Sequence, residues 1–249
     1  MPRRKTKTRA KPTKSSKKPT TNGRPIHISF LLDETGSMQS CHGQAVSGFN
    51  EYITNMKKEK ASVQMTFCTF NSEKKNIRFT DTPLAKVKPL SAETYRPDHM
   101  TPLLDAVGQI IKRTEETEAK AKKEKKDLAI LFVILTDGQE NASREFKADQ
   151  IRDLIEKKQK EGWTFVYLGA NQDAWEIGSH LGISVSNTMS YDSAKTGGVI
   201  GQSLAQASVM YSRPGGQQVN TGGFWTQAGI EADDDKKKKV KDGWVNSSN

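Results

Sequence analysis

Apolar positions along the chain alternate between two rhythms. Ile26 to Leu32 is an unbroken, β-rich apolar run that stops at Asp33. Residues 41–57 then carry Ala45, Val46, Phe49, Ile53 and Met56 at helical spacing. Residues 62–70 switch to a period of two, with Val63, Met65 and Phe67 on one side. A polar turn over 71–76 leads into Ile77-Arg78-Phe79, a link so short that it predicts a hairpin and one antiparallel edge. Thr101-Pro102 opens a helix bearing Leu103, Leu104, Val107, Ile110 and Ile111, with Thr as N-cap and Pro at the first helical position. Leu128 to Leu135 is apolar throughout, as a central parallel strand covered on both faces must be. An amphipathic helix over 145–160, a strand over 163–168, a helix ending near Leu181, a short strand within 184–190 and a last helix over 199–211 complete the pattern. Strands and helices in alternation predict an α/β, Rossmann-like doubly wound fold. Its sheet is mostly parallel with one antiparallel edge strand, and helices cover both faces.

Charge divides the chain further. The formal net charge is +10, but ten of the 39 Lys and Arg residues lie within residues 1–25, which hold no acid; the remainder balances at 29 against 29. Residues 1–24 are therefore expected to be a disordered basic tail attracted to nucleic acid or another polyanion, or simply a solubilising leader. Residues 25–212 are expected to form one folded domain. Residues 213–249, rich in Gly and Gln and then carrying an Asp and Lys run over 233–239, are expected to be a flexible polar and charged C-terminal tail; Phe224, Trp225 and Trp244 are its residues suited to docking. No apolar run reaches the length that spans a bilayer, and the N-terminus lacks a secretory apolar core. Cys41 and Cys68 have no metal-like spacing and read as reduced thiols of a cytoplasmic protein.

The chemistry gathers at the strand ends. In open α/β sheets, ligands bind beyond the carboxyl ends of the strands, where the winding reverses. Two buried runs end directly in an acid, Asp33 and Asp137. After the first strand, Asp33-Glu-Thr35-Gly-Ser37 offers a carboxylate and two hydroxyls on alternate residues, and Thr101 adds a third hydroxyl from another loop. Five oxygen-bearing side chains from three loops can thus converge on one point. An all-oxygen set suits Mg²⁺ or Mn²⁺. Two carboxylates leave such an ion able to attract a further one from outside.

Asp33-x-Thr35-x-Ser37, Thr101-Pro102-Leu103 and Thr136-Asp137-Gly138, in this order and spacing, resemble the metal-ion-dependent adhesion site of von Willebrand factor A domains. The resemblance extends to the element order over residues 25–190. It implies that Thr35, Ser37 and Thr101 are hydroxyl ligands, and that Asp33 and Asp137 bind directly or through water. It also implies a metal-dependent, non-enzymatic protein-binding module, an adaptor or scaffold that engages an Asp or Glu of a partner. Thr35 stands where many members have Ser, which keeps the oxygen. Asp-Glu-Thr-Gly-Ser-Met38, with Gly169-Ala-Asn-Gln-Asp173 later, is closer in wording to bacterial and phage members.

Plainer roles exist for each residue. Ser37 and Thr101 are helix-capping types, and Asp33 and Asp137 suit turns; independent caps have no reason to match one site pattern. Glu34 is expected at the surface, and Asp105 as compensation of a helix dipole. Asn141 and Asp173 read as turn or cap residues near the rim, and the four histidines as structural or exposed. An alternative function is a nucleic-acid-associated protein using its basic arm. A metal-dependent phosphoester hydrolase is a poorer fit: phosphotransfer enzymes of the haloacid dehalogenase type need a second acid where Thr35 stands. The chain also has no G-x-S-x-G elbow, P-loop or G-x-G-x-x-G turn.

Overall fold

A computed structural model describes residues 24–58, 62–73, 75–170, 174–213 and 222–230. Six strands form one sheet in the order β3-β2-β1-β4-β5-β6. They are β1 (Ile26–Asp33), β2 (Val63–Phe70), β3 (Lys75–Pro83), β4 (Ala129–Thr136), β5 (Thr164–Ala170) and β6 (Thr188–Tyr191). All neighbours are parallel except β2 and β3, which form the expected antiparallel hairpin. The hairpin is longer than Ile77–Phe79 alone, because polar residues on an edge strand still complete the ladder. Its register shifts twice between Met65 and Cys68.

β1 and β4 are buried along their whole lengths. Leu131, Val133 and Leu135 of β4 face one core, and Ile130, Phe132 and Ile134 face the other. This is the two-sided burial that its unbroken apolar run requires. The first core is covered by α1 (His42–Lys58), whose Phe49 stacks on Phe67 with ring centroids 4.2 Å apart. The second is covered by α2 (Leu103–Lys123), α3 (Ala148–Lys160) and α4 (Ala174–His180). The last helical stretch runs from α5 (Thr196–Gly198) through a π-helical turn, Val199–Leu204, into α6 (Ala205–Ser212). Gly48 of α1 allows the close approach of this stretch: a Cβ there would stand 2.9 Å from the Gly197 backbone.

Three expectations shift. The helix foreseen from 145 begins at Ala148, because the residues before it are held in a loop against α2. The short strand begins only at Thr188, since Val185–Asn187 winds into a 3₁₀ turn. Within the stretch read as a flexible C-terminal tail, Phe224 and Trp225 are fully buried in the first core, and Phe224 packs against Tyr211. Two large aromatics outweigh the polar composition around them. The Phe224 amide donates to Asn187 and Gln206 donates to the Ala228 carbonyl, tying down 222–230. The basic tail up to residue 23, Asp173 and Trp244 lie outside the described residues. Among those described, no helix is long and apolar enough to cross a membrane. Cys41 and Cys68 are both buried.

Candidate metal centre

β1 and β4 are hydrogen-bonded neighbours at the centre of the sheet, and connections leave them to opposite sides. That is the switch point where a doubly wound sheet opens a crevice. Asp33 ends β1, and Asp137 follows the last residue of β4. The two acids are therefore brought to one edge by strand register alone.

The five candidate side chains form one connected cluster. The Thr35 amide donates to Asp33 Oδ1 at 2.8 Å, and the Thr35 and Ser37 hydroxyls lie 3.2 Å apart. Ser37 donates to Asp137 Oδ1 at 2.5 Å across a hundred residues of sequence. Thr101 Oγ1 donates to Thr35 Oγ1 at 3.2 Å. Gly138 marks the hollow between them: an ideal Cβ on it would lie 2.7 Å from Thr101 Oγ1 and 3.3 Å from both Asp33 Oδ2 and Ser37 Oγ. Oxygens from three loops thus surround a space that a side chain at 138 would fill. Among the described residues no three His, Cys, Asp or Glu side chains cluster as metal ligands. The donor set here is two carboxylates and three hydroxyls, a hard-oxygen set that fits Mg²⁺ or Mn²⁺ and gives a soft metal nothing to hold.

Burial sets the electrostatics. Asp33 is fully buried, and loss of water pushes its carboxyl up to about 6. The Asp137 charge adds to that, while hydrogen bonds from Thr136 and Thr35 oppose it. Asp137 is half-buried and raised for the same first reason, with Ser37 pulling the other way. A pair of carboxylates held at this desolvation cost is a place where a cation is stabilising.

Helix capping does not describe Thr101 and Ser37, while Asp33 does accept the amide two residues on, as a turn acid would. Thr101 is not an N-cap: α2 starts at Leu103 and no side chain caps it from the preceding residue. Its first amides are served from the 140–143 loop instead, Leu104 by Glu140 Oε2 at 2.9 Å and Asp105 by Ser143 Oγ at 3.1 Å. This leaves the Thr101 hydroxyl free to turn toward Thr35. Ser37 likewise gives its hydroxyl to Asp137 rather than to a helix end.

Two acids read differently from the sequence. Glu34 is buried, not exposed: Arg78 donates to both its oxygens at 2.9 and 3.0 Å, and the Arg96 amide donates at 2.7 Å. It thereby fastens the 33–37 loop to β3 and to the 95–98 segment. Asp105 is also buried and accepts the amides of Arg144, Glu145 and Phe146, so it holds a loop and not only a helix dipole. Sequence reasoning quoted Thr136 within a motif without giving it a role, and missed Tyr95. Thr136 donates to Asp33 Oδ2, and the buried Tyr95 hydroxyl donates to the Asp33 carbonyl, each at 2.5 Å. Thr136 had a signal, its place beside Asp137 in Thr-Asp-Gly; Tyr95 had none, being 62 residues away in sequence.

No family model matches the sequence, and no curated protein does. Solved structures do resemble the fold. The pilus adhesin SpaC from Lactobacillus rhamnosus GG, in an open conformation, is 13% identical; 77% of this chain aligns with 31% of that one at a TM-score of 0.54. A von Willebrand factor type A structure from Catenulispora acidiphila is 10% identical over 76% of this chain and 43% of its own, with a TM-score of 0.51. Proximal thread matrix protein 1 from the mussel byssus is 14% identical over 75% and 46%, with a TM-score of 0.50. This chain spans less than half the length of each. At these identities the likeness is one of fold, and the fold is that of von Willebrand factor A-type domains.

Proposed function

We propose that this chain is a divalent-metal-dependent protein-binding module, acting as an adaptor or scaffold rather than an enzyme. Thr35, Ser37, Thr101, Asp33 and Asp137 would hold Mg²⁺ or Mn²⁺. When bound, the ion supplies a positive charge that two carboxylates do not saturate, and so attracts an Asp or Glu carboxylate of a partner. The protein's part is to keep two acids at adjacent strand ends and three hydroxyls on the loops beside them pre-arranged around the hollow. The observation that carries this reading is the approach of Thr101, Ser37 and Asp33 oxygens to a common point above Gly138, where the absence of a Cβ leaves room. The wording of the three loop segments and the shared fold, which includes an adhesin, support it.

Thermal melting of the full chain in EDTA, Mg²⁺, Mn²⁺ and Ca²⁺ tests the proposal. An ion bound only by the folded state at a hundred times its dissociation constant stabilises by about 2.7 kcal/mol, so the melting temperature should rise with Mg²⁺ or Mn²⁺. Asp33→Ala should erase that rise. A wild-type melt indifferent to both ions sinks the proposal.

A further inference from the structure

We infer that Asn141 is a positioning residue that aims the Thr101 hydroxyl into the candidate ion site, an inference that rests on the metal-site reading above. Thr101 lies outside any helix or strand, two residues after His99, whose backbone sits at a left-handed φ of 68°. No helix or strand geometry fixes its direction; Ser72 holds Met100 at both its amide and its carbonyl, up to the Thr101 peptide. Asn141 fixes it from both sides. The Thr101 amide donates to Asn141 Oδ1 at 2.8 Å, and the Asn141 amide donates to the Thr101 carbonyl at 3.1 Å. One residue thus grips the peptide groups before and after the Thr101 Cα, and the direction of its Cα–Cβ bond follows.

The grip is useful only if Asn141 itself is fixed, and it is. On one side Glu140 accepts the amides of Leu104, Ala142 and Ser143 and the Ser143 hydroxyl. On the other, Asp105 accepts the amides of Arg144, Glu145 and Phe146. The 140–146 loop is therefore referenced to the first turn of α2, and Asn141 passes that reference to Thr101. Thr101 is buried, so an apolar side chain at 141 would leave its amide without a partner, a cost that favours rearrangement of the loop. Residues that orient metal ligands from behind act in this way.

Mn²⁺ binding to the full chain, read from loss of the free-ion electron paramagnetic resonance signal, tests the assignment through a double-mutant cycle. Asn141→Ala should weaken Mn²⁺ binding by about tenfold, the lower end of the range for groups that orient metal ligands. Asn141→Ser, whose oxygen falls short of the Thr101 amide, carries the same test should the alanine variant fold poorly. Asn141→Asp keeps the acceptor and should bind as tightly as wild type or more tightly. On a Thr101→Ala background, Asn141→Ala should bring no further loss, because there is no hydroxyl left to aim. Thr114→Val, which breaks the buried Ser29–Thr114 hydrogen bond far from the loop, should lower the melting temperature without changing Mn²⁺ affinity. Wild-type affinity in Asn141→Ala, or a loss that simply adds to that of Thr101→Ala, overturns the inference alone. Failure of the wild type to bind Mn²⁺ overturns it together with the reading beneath it.

Discussion

The Thr136 hydroxyl donates to Asp33 Oδ2 at 2.5 Å, joining the last residues of two adjacent parallel strands, and the same oxygen accepts the Gly138 amide at 3.0 Å. Asp33 also accepts the Thr35 amide through its other oxygen. Its carboxyl is thus fixed in place at both atoms, and the strand that carries Asp137 supplies one of the fixing groups. Pre-arrangement of this kind means that little would need to move on binding a cation, as proposed above.

Protons and cations should compete for Asp33. Its carboxyl rises to about 6 because it is buried, so a proton occupies it below that pH and a cation must displace the proton. Affinity for Mg²⁺ should be flat above pH 7 and fall by about tenfold per pH unit below 6, the slope of one competing proton. The Mg²⁺-induced rise in melting temperature should then be about half as large at pH 5 as at pH 7.5 when the ion stands at about a hundred times its neutral-pH dissociation constant. A rise of equal size at both values refutes the competition.

Gly138→Ala separates the hollow from the fold. The new methyl would crowd the hydroxyls of Thr101 and Ser37 and one oxygen of Asp33, side-chain ends that can turn aside. Overpacking of this sort costs about 1–3 kcal/mol, so the domain should still fold. The displaced hydroxyls should leave the melting temperature unresponsive to Mg²⁺. Circular dichroism melts with Mg²⁺ and with EDTA decide the matter; a full response to Mg²⁺ would show that the hollow is not where an ion sits.

His27 should make the protein acid-sensitive. This β1 residue has a fully buried ring, neither nitrogen has a hydrogen-bond partner among the described residues, and Asp81 Oδ1 is 3.9 Å away. Burial lowers its pKa to about 4, with Asp81 opposing and Arg113 assisting. The unfolded chain takes up a proton near 6.5 that the folded chain refuses, so stability is full above 6.5 and is lost as pH falls toward 4. A shift of this size corresponds to about 3 kcal/mol. Asp33 without metal acts in the opposite sense, its stabilising protonation being lost as pH rises from 3.8 through 6. Urea unfolding in EDTA should therefore show a shallower acid loss than in saturating Mg²⁺. His27→Leu should remove most of the loss in EDTA, and in Mg²⁺ should leave the part that comes from losing the ion.

Trp225→Ala should destabilise the domain by about 3–5 kcal/mol, the usual cost of removing a large buried aromatic. Trp225 is fully buried and packs edge-on against Phe224 at 5.0 Å. Removing everything after residue 213 should cost at least as much, measured by the midpoint of urea unfolding. A truncated chain as stable as the full one would place the boundary of the folded unit back near 212.

The sheet and the oxygen cluster were legible in the sequence for the same reason. Strands buried on both faces must be continuously apolar, so Asp33 and Asp137 stand out as the points where the runs stop. What escaped was everything set by partners distant along the chain. Glu34 reads as a surface acid until Arg78 comes 44 residues later to meet it. Thr101-Pro102 has the form of a helix start, yet tertiary contacts from Glu140 and Ser143 supply the capping. In residues 222–230 composition was the wrong guide, because burying two aromatic rings outweighs a majority of polar neighbours.

The hairpin strand β3 has a further consequence for how this sheet meets the outside. Its register slips twice against β2, and Asp81 within it adopts a left-handed backbone, φ 45°, with its amide turned to Thr66. A kinked flank of this sort is a poor template for another chain's backbone, and the opposite flank, β6, offers only four residues. Both ends of the ladder thus resist lengthening by a strand of another molecule.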